Sequence, residues 1–256
     1  MSQQLRQSYR LTTLNLHNFA APPLACYEWD NIYSQTQWQQ KTQWLLATWQ
    51  QLKPDLLALQ EVFSVDALVE LISAAGFEHW AVSAQPVLVD DHVFQKPVQL
   101  LASRYPLQVQ AWPKLDTSDW PSAMQHCQFS REPLLVEVEL PLLGKVRVVV
   151  CHLKSARAVA ELQAYPALAL WQSAQQRGME ATMLWQQLHQ LYQQHPLPTI
   201  VMGDFNDSWS STILQPLHAT TKTKNGLFLL QDAADLAPEG RRAPTHYYGA
   251  DGRVLD

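Results

Sequence analysis

The chain has 256 residues, 47% of them hydrophobic and 16% charged, which is enough to bury a large core within one domain. A net charge of −5 argues against a protein that holds nucleic acid by charge alone, since such proteins are basic. If the substrate is a phosphate ester, local cations or a bound metal must supply the attraction.

In chain order, Tyr9 to Leu16 alternates toward a strand. Trp38, Leu45, Leu46, Trp49 and Leu52 recur at helical spacing, which predicts an amphipathic helix over about 36–52. Pro54 ends it, and "DLLALQEV" enters a short buried strand that closes near Glu61. A second helix runs from Val65 to Ala75 and stops at Gly76. Strand-like pieces follow near 77–83, 98–103 and 107–112. "PLLVEVELPLLGKVRVVVCHL" reads as a β-hairpin turning at Leu142–Gly144, with a second arm apolar enough to be buried on both faces. Residues from about 157 to 195 are helical in character, with Pro166 and Gly178 as expected interruptions and with Gln-rich patches read as solvated faces. "LPTIVMGDFN" is again a strand, "SWSSTILQPL" begins a short helix, and a further strand starts at Gly252–Asp256. Strands separated by helices, mixed with a hairpin, predict a layered α/β fold.

No 20–50-residue repeat and no Pro/Gly/Ser-rich linker divides the chain. No apolar run reaches transmembrane length, and the opening "MSQQLRQSYR" lacks the apolar region of a secretory signal. Cys26, Cys127 and Cys151 are odd in number and widely spaced. They point to a reducing compartment rather than a disulfide framework or a zinc site. The expectation is a single cytoplasmic domain with no membrane span.

Four apolar strands end in a polar group. They place Asn15, Glu61 and His152, then Asp204 with Asn206, where neighbouring strand ends can converge. A carboxylate and an amide oxygen suit Mg²⁺, a hard cation that takes few protein ligands and keeps several waters. A histidine can donate to a phosphate oxygen, and an aspartate can orient a water. Taken singly, each has a plainer reading. Asn15 can satisfy a bulge, Glu61 can open a helix, His152 can be a core histidine, and "GDFND" can be a polar turn. Asp207 fits an N-cap ahead of a helix near Ser208.

Taken together, "LNLHNF", "ALQEV", "LLASRYPL", "SREPLLVEVEL", "VCHLKS", "MGDFND" and "GRVLD" resemble the endonuclease/exonuclease/phosphatase superfamily, the DNase I-like metal-dependent phosphoesterases. The similar pieces span about residues 11 to 256. The resemblance implies a four-layered α/β/β/α sandwich of two mixed β-sheets flanked by helices, with the site at one edge. It also implies roles. Glu61 is the principal metal ligand with Asn15 beside it, and the metal is Mg²⁺ or Mn²⁺. Asp204 orients or deprotonates the attacking water, Asn206 contacts phosphate and water, and His152 donates to the phosphate or leaving group. Arg131 matches an arginine that faces the substrate phosphate in the DNase I branch. Asp256 matches the acid of the last motif, which in the family is followed directly by a histidine. The sequence stops at Asp256, so the expectation is a domain cut short in its last strand, and a weakened catalyst if nothing follows.

The implied activity is metal-dependent phosphoester hydrolysis of the phosphodiesterase, nuclease-type class. Two alternatives stand beside it. One is a phosphatase or diesterase for small nucleotides, sugar phosphates or lipid head groups; the other is a non-catalytic binding module. The inserts Phe19 to Ile32 and Val89 to Pro97 are poor in cations, which argues mildly against tight duplex binding. Trp112, Trp120, Tyr247 and Tyr248 are candidates for stacking on a base or sugar.

Overall fold

Two parallel strand pairs carry Asn15 and Glu61, and His152 and Asp204. The computed structural model describes residues 8–157 and 164–236, together with the backbone of two short strands, His246–Tyr248 and Arg253–Leu255. The chain divides into two compact units. The first comprises Met1–Ala111, Arg131–His152 and Leu197–Asp204; the second comprises Trp112–Ser130, Leu153–Pro196 and Phe205–Asp256.

The first unit contains β1 (Leu11–Phe19), β2 (Ala25–Cys26), α1 (Gln35–Leu52), β3 (Leu56–Val62), α2 (Val65–Ala74), β4 (His79–Val82), β5 (Val87–Val89), β6 (Val93–Lys96), β7 (Val98–Ser103), β8 (Leu107–Val109), β9 (Leu134–Leu140), β10 (Gly144–His152) and β11 (Thr199–Asp204). One mixed sheet has the order β1-β3-β7-β4 and a second has the order β11-β10-β9-β8. In each, a single edge pair is parallel: β1 with β3, and β10 with β11. Leu56, Ala58 and Leu101 of the first sheet share a buried core with Val136, Val138, Val148, Val150 and Met202 of the second, so the sheets pack face to face. On the other side of the first sheet, Leu57, Leu59 and Leu100 bury against Leu45 and Trp49 of α1 and Leu68 and Ile72 of α2. Each such side chain contributes roughly 1.5–3 kcal/mol by leaving water.

Local signals explain the boundaries. Ser34 and Gln37 form a capping box at the start of α1, and Lys53 ends it in the left-handed region. Gly76, with φ +84°, follows α2 as expected. The hairpin of β9 and β10 turns at the expected place, and Val148, Val149 and Val150 are fully buried. The insert Phe19 to Ile32 and the one at Val89 to Pro97 are not plain loops. They supply β2 and β6, which pair parallel with each other, and β6 pairs antiparallel with β5 on its other side, in a third small sheet.

In the second unit, α3 (Pro166–Gln194) is one continuous helix. Pro166 starts it rather than interrupting it, because a first-turn proline forfeits no intrahelical bond. Gly178 does not break it, and a Cβ there would lie 3.6 Å from the Ile213 carbonyl, an ordinary contact. The stretch after Ser208 forms turns and a short 3₁₀ segment, Gln215–His218, in place of the expected α-helix. "TKTKNG" belongs to a hairpin of β12 (Thr221–Thr223) and β13 (Gly226–Phe228). The closing strands are β14 (His246–Tyr248) and β15 (Arg253–Leu255), which pair antiparallel.

Gly203 is the one glycine that β11 cannot replace. Its φ is +148°, and a Cβ would sit 1.9 Å from the Cys151 carbonyl oxygen. Any side chain here must push β11 off β10 one residue before Asp204. Gly203→Ala is therefore expected to cost more than about 3 kcal/mol, read as a lowered midpoint of urea unfolding. A loss below about 1 kcal/mol would show that the strands separate freely at this point.

Candidate active site

Both parallel pairs deliver their C-terminal ends to one place. β1 brings Asn15, β3 brings Glu61, β10 ends at His152 and β11 ends at Asp204, with His152 and Asp204 directly paired in register. These strand ends are locally distorted. Pairing of β1 with β3 shifts register between Asn15 and Phe19, and His17, Asn18 and Glu61 all have positive φ. Such bulges re-aim side chains that a regular pleat would send elsewhere.

The centre of the cluster is the Asn15 amide. Its Nδ2 donates to Glu61 Oε1 at 3.1 Å and to Asp204 Oδ2 at 2.9 Å, while its Oδ1 accepts from the His17 N–H at 2.9 Å. Two carboxylates facing one nitrogen require the NH₂ end there, which sets the amide's orientation. Glu61 Oε2 accepts from the Asn18 N–H at 2.8 Å. His152 Nε2 lies 3.8 Å from Asp204 Oδ2 and 4.0 Å from Glu61 Oε1, beyond hydrogen-bond range of either. Burial, reinforced by the charge of Arg131, holds the His152 imidazole well below its ordinary pKa. Its Nδ1 is buried and finds no hydrogen-bond partner among the described residues. A neutral imidazole thus stands beside two carboxylates with one ring nitrogen turned to them.

Arg131 borders this group. It hydrogen-bonds the Tyr27 phenol as well as opposing protonation of His152. Tyr27 itself sits at φ +66° with its ring edge-on to Phe63. Lys41 Nζ donates to the His17 carbonyl at 3.0 Å and to Tyr33 Oη at 2.7 Å. Burial brings the Lys41 pKa down to about 8, against the pull of Glu61. Tyr27 and Lys41 escaped the sequence reading because one lies in an apparently loop-like insert and the other on a helix taken as solvated. The small strand β2 beside Tyr27 was the missing signal.

In the second unit, Asn206 has φ +53° and donates its Nδ2 to the Leu153 carbonyl at 2.9 Å. Asp207 is not a helix cap. It pairs with Arg177, and its Oδ1 accepts from the Ser208 N–H. Asp256 lies outside the described residues, as do Arg241, Arg242 and the side chains of Tyr247 and Tyr248.

Acid, amide and imidazole groups thus stand at converging strand ends of a mixed α/β fold. The sequence model of the Endonuclease/Exonuclease/phosphatase family matches residues 31–256, and the chain belongs to that family. Among solved structures, a β-hairpin deletion mutant of Staphylococcus aureus beta toxin is 13% identical, with 84% of this chain and 74% of that one covered and a TM-score of 0.51. This likeness shows the DNase I-like fold. An endonuclease/exonuclease/phosphatase from Beutenbergia cavernae is 18% identical, with 86% and 51% covered and a TM-score of 0.49. A humanized D. rerio TDP2 is 12% identical, with 77% and 61% covered and a TM-score of 0.48. The chain thus spans between about half and two thirds of the length of the last two structures. No curated protein sequence matches it.

The family generally depends on a divalent metal. Among the described residues, no group of three or more His, Cys, Asp or Glu side chains is set to hold a metal by itself. Two carboxylates and an amide still fit Mg²⁺, which needs only one or two protein carboxylates and retains waters.

The depressed His152 pKa has a stability consequence in the metal-free protein. Unfolding lets this imidazole bind a proton once the pH falls below about 6.5, so stability is full above that value and declines as the pH drops toward the lower folded pKa. His152→Gln is expected to flatten that decline in urea unfolding between pH 7 and 5. An unchanged slope would mean that the imidazole protonates freely in the folded chain.

Proposed function

We propose that the chain is a divalent-metal-dependent phosphoester hydrolase of the phosphodiesterase, nuclease-type class. The observation that carries this is the Asn15 amide shared by Glu61 and Asp204, with a neutral His152 beside them. Glu61 holds the metal with Asn15 alongside; one lone pair of Asn15 Oδ1 is taken by His17, and the other remains available. Mg²⁺, or Mn²⁺ in its place, would supply charge neutralisation at the phosphoryl group.

The chain's own residues supply the rest. Asp204, held by Asn15, accepts a hydrogen bond from the attacking water and aims it at phosphorus. His152, kept neutral, donates from Nε2 to a phosphate oxygen. Arg131, braced by Tyr27, faces the phosphate charge. Asn206 contacts phosphate and water, and Asp256 is the acid of the closing motif. Two carboxylates already occupy the cluster, so a diester with one negative charge is favoured over a monoester with nearly two. Nucleic acid is one such diester. The nearby insert Val89 to Pro97 has Lys96 as its only Lys or Arg, which points to short or single-stranded substrates rather than tightly gripped duplex.

The test compares bis(p-nitrophenyl) phosphate with p-nitrophenyl phosphate in Mg²⁺. The diester should be cleaved faster, and EDTA should abolish the activity. Asp204→Asn should lower kcat by roughly 10²–10⁴-fold while KM stays within a few fold. Glu61→Ala should remove metal stimulation with the fold retained. Metal-stimulated activity that survives Glu61→Ala, or faster turnover of the monoester, would overturn the reading.

A further inference from the structure

Helix α3 buries an unusual set of side chains. Ser173, Arg177, Glu180 and Gln187 lie on its covered face among Ala181, Leu184 and Leu188. Glu180 is fully buried. Its Oε1 accepts from the Ser130 N–H at 2.8 Å, Ser130 Oγ at 2.6 Å and Gln176 Nε2 at 3.0 Å, and its Oε2 accepts from the Lys154 N–H at 2.6 Å. One turn earlier, Arg177 donates to the Lys154 carbonyl at 3.1 Å and pairs with Asp207 at 2.8 Å. Ser173 donates to the Arg157 carbonyl at 2.6 Å.

The partners fall in three separate segments, and each abuts a residue of the candidate site in the chain. Ser130 precedes Arg131, Lys154 lies two residues after His152, and Asp207 follows Asn206. Lys154 is held through both of its backbone polar groups: Glu180 takes its N–H and Arg177 its carbonyl. The bonds to the Ser130 N–H, to both Lys154 backbone groups and to the Arg157 carbonyl go to backbone, and these fix where the chain runs rather than which side chain it carries. Stability alone does not call for this arrangement, since well-packed apolar residues in place of buried ions are often as stable or more so.

We propose that Glu180 and Arg177 are positioning residues for the phosphoester site, setting from α3 the course of the backbone beside His152, Arg131 and Asn206. The proposal rests on the hydrolase reading above. Neither residue touches substrate; each acts through the segment it holds. A displacement of about 1 Å in such a segment is enough to cost roughly 100-fold in rate.

Glu180→Gln tests this at constant volume. One carboxylate oxygen becomes an NH₂, which cannot accept from Lys154 or Ser130. Two readouts are taken: kcat and KM for bis(p-nitrophenyl) phosphate in Mg²⁺, and amide hydrogen exchange. The expected result is a fall in kcat of about 10–100-fold with KM changed by less than about threefold. Exchange should quicken in 128–131 and 153–157 while the helix core from Ala181 to Leu188 stays protected. Ser130→Ala, at an exposed position, removes a single bond to Glu180 and keeps the fold; it should quicken exchange around Ser130 alone and lower kcat less. Quickened exchange with kcat unchanged in both variants overturns the proposal, as does unchanged exchange in Glu180→Gln. A wild-type chain that cleaves no diester overturns the hydrolase reading instead. Exchange then decides the pin by itself, with local acceleration supporting it and its absence overturning it.

Discussion

Two carboxylates share one side-chain amide, and much of the first unit is arranged so that they can. Like charges at this distance repel unless donors and a low-charge neighbour separate them. Asn15 supplies two donor hydrogens, the Asn18 N–H a third, and His152 stays neutral beside them. For those groups to meet, β1 and β3 must end together in one sheet and β10 and β11 together in the other. Face-to-face packing through Leu56, Leu101, Val148 and Val150 then sets the spacing between the two pairs. Gly203 allows the last of these strands to run close enough.

The legible parts of this arrangement were the apolar ones. Val148 to Val150, Leu56 to Leu59 and the Trp49–Leu45 stripe announce burial by pattern, and the polar residue that ends each strand stands out against it. The first helix was readable from its apolar spacing and the proline after it, and the second from the glycine that stops it. Hydrophobic periodicity is silent about polar groups that are buried because they are bonded. Glu180 and Arg177 therefore looked like the solvated side of a Gln-rich helix, although the face they share with Leu184 and Leu188 is covered. Asp207 looked like a cap because no sequence rule pairs it with an arginine thirty positions earlier. Pro166 and Gly178 looked like breaks because propensity does not register a first-turn position or a tertiary contact.

The site also divides by kind of support. Asn15, Glu61, His152 and Asp204 are fixed by strand pairing, with regular ladders behind them. Tyr27 and Asn206 sit just off the ends of regular strands, and each adopts left-handed backbone. Tyr27 braces Arg131, and Asn206 Nδ2 donates to the Leu153 carbonyl. Strand pairing thus holds the groups proposed for the metal and the water, and His152 as one proposed phosphate donor. Shorter, bonded turns hold Asn206 and the Tyr27 that braces Arg131.

Left-handed backbone at His17, Asn18, Glu61 and Asn206 carries one more implication. Each such residue costs roughly 1–2 kcal/mol, less for asparagine, against a whole-domain margin of about 5–15 kcal/mol. Glycine at these positions would relieve that strain; at His17 and Asn18 it would keep the backbone N–H groups that Asn15 and Glu61 use, whereas at Glu61 and Asn206 it would remove bonded side chains. A selection for thermal robustness alone would therefore favour glycine at His17 and Asn18 before Glu61 and Asn206, where the side chain proposed for the metal and the one proposed for the phosphate would go with the strain.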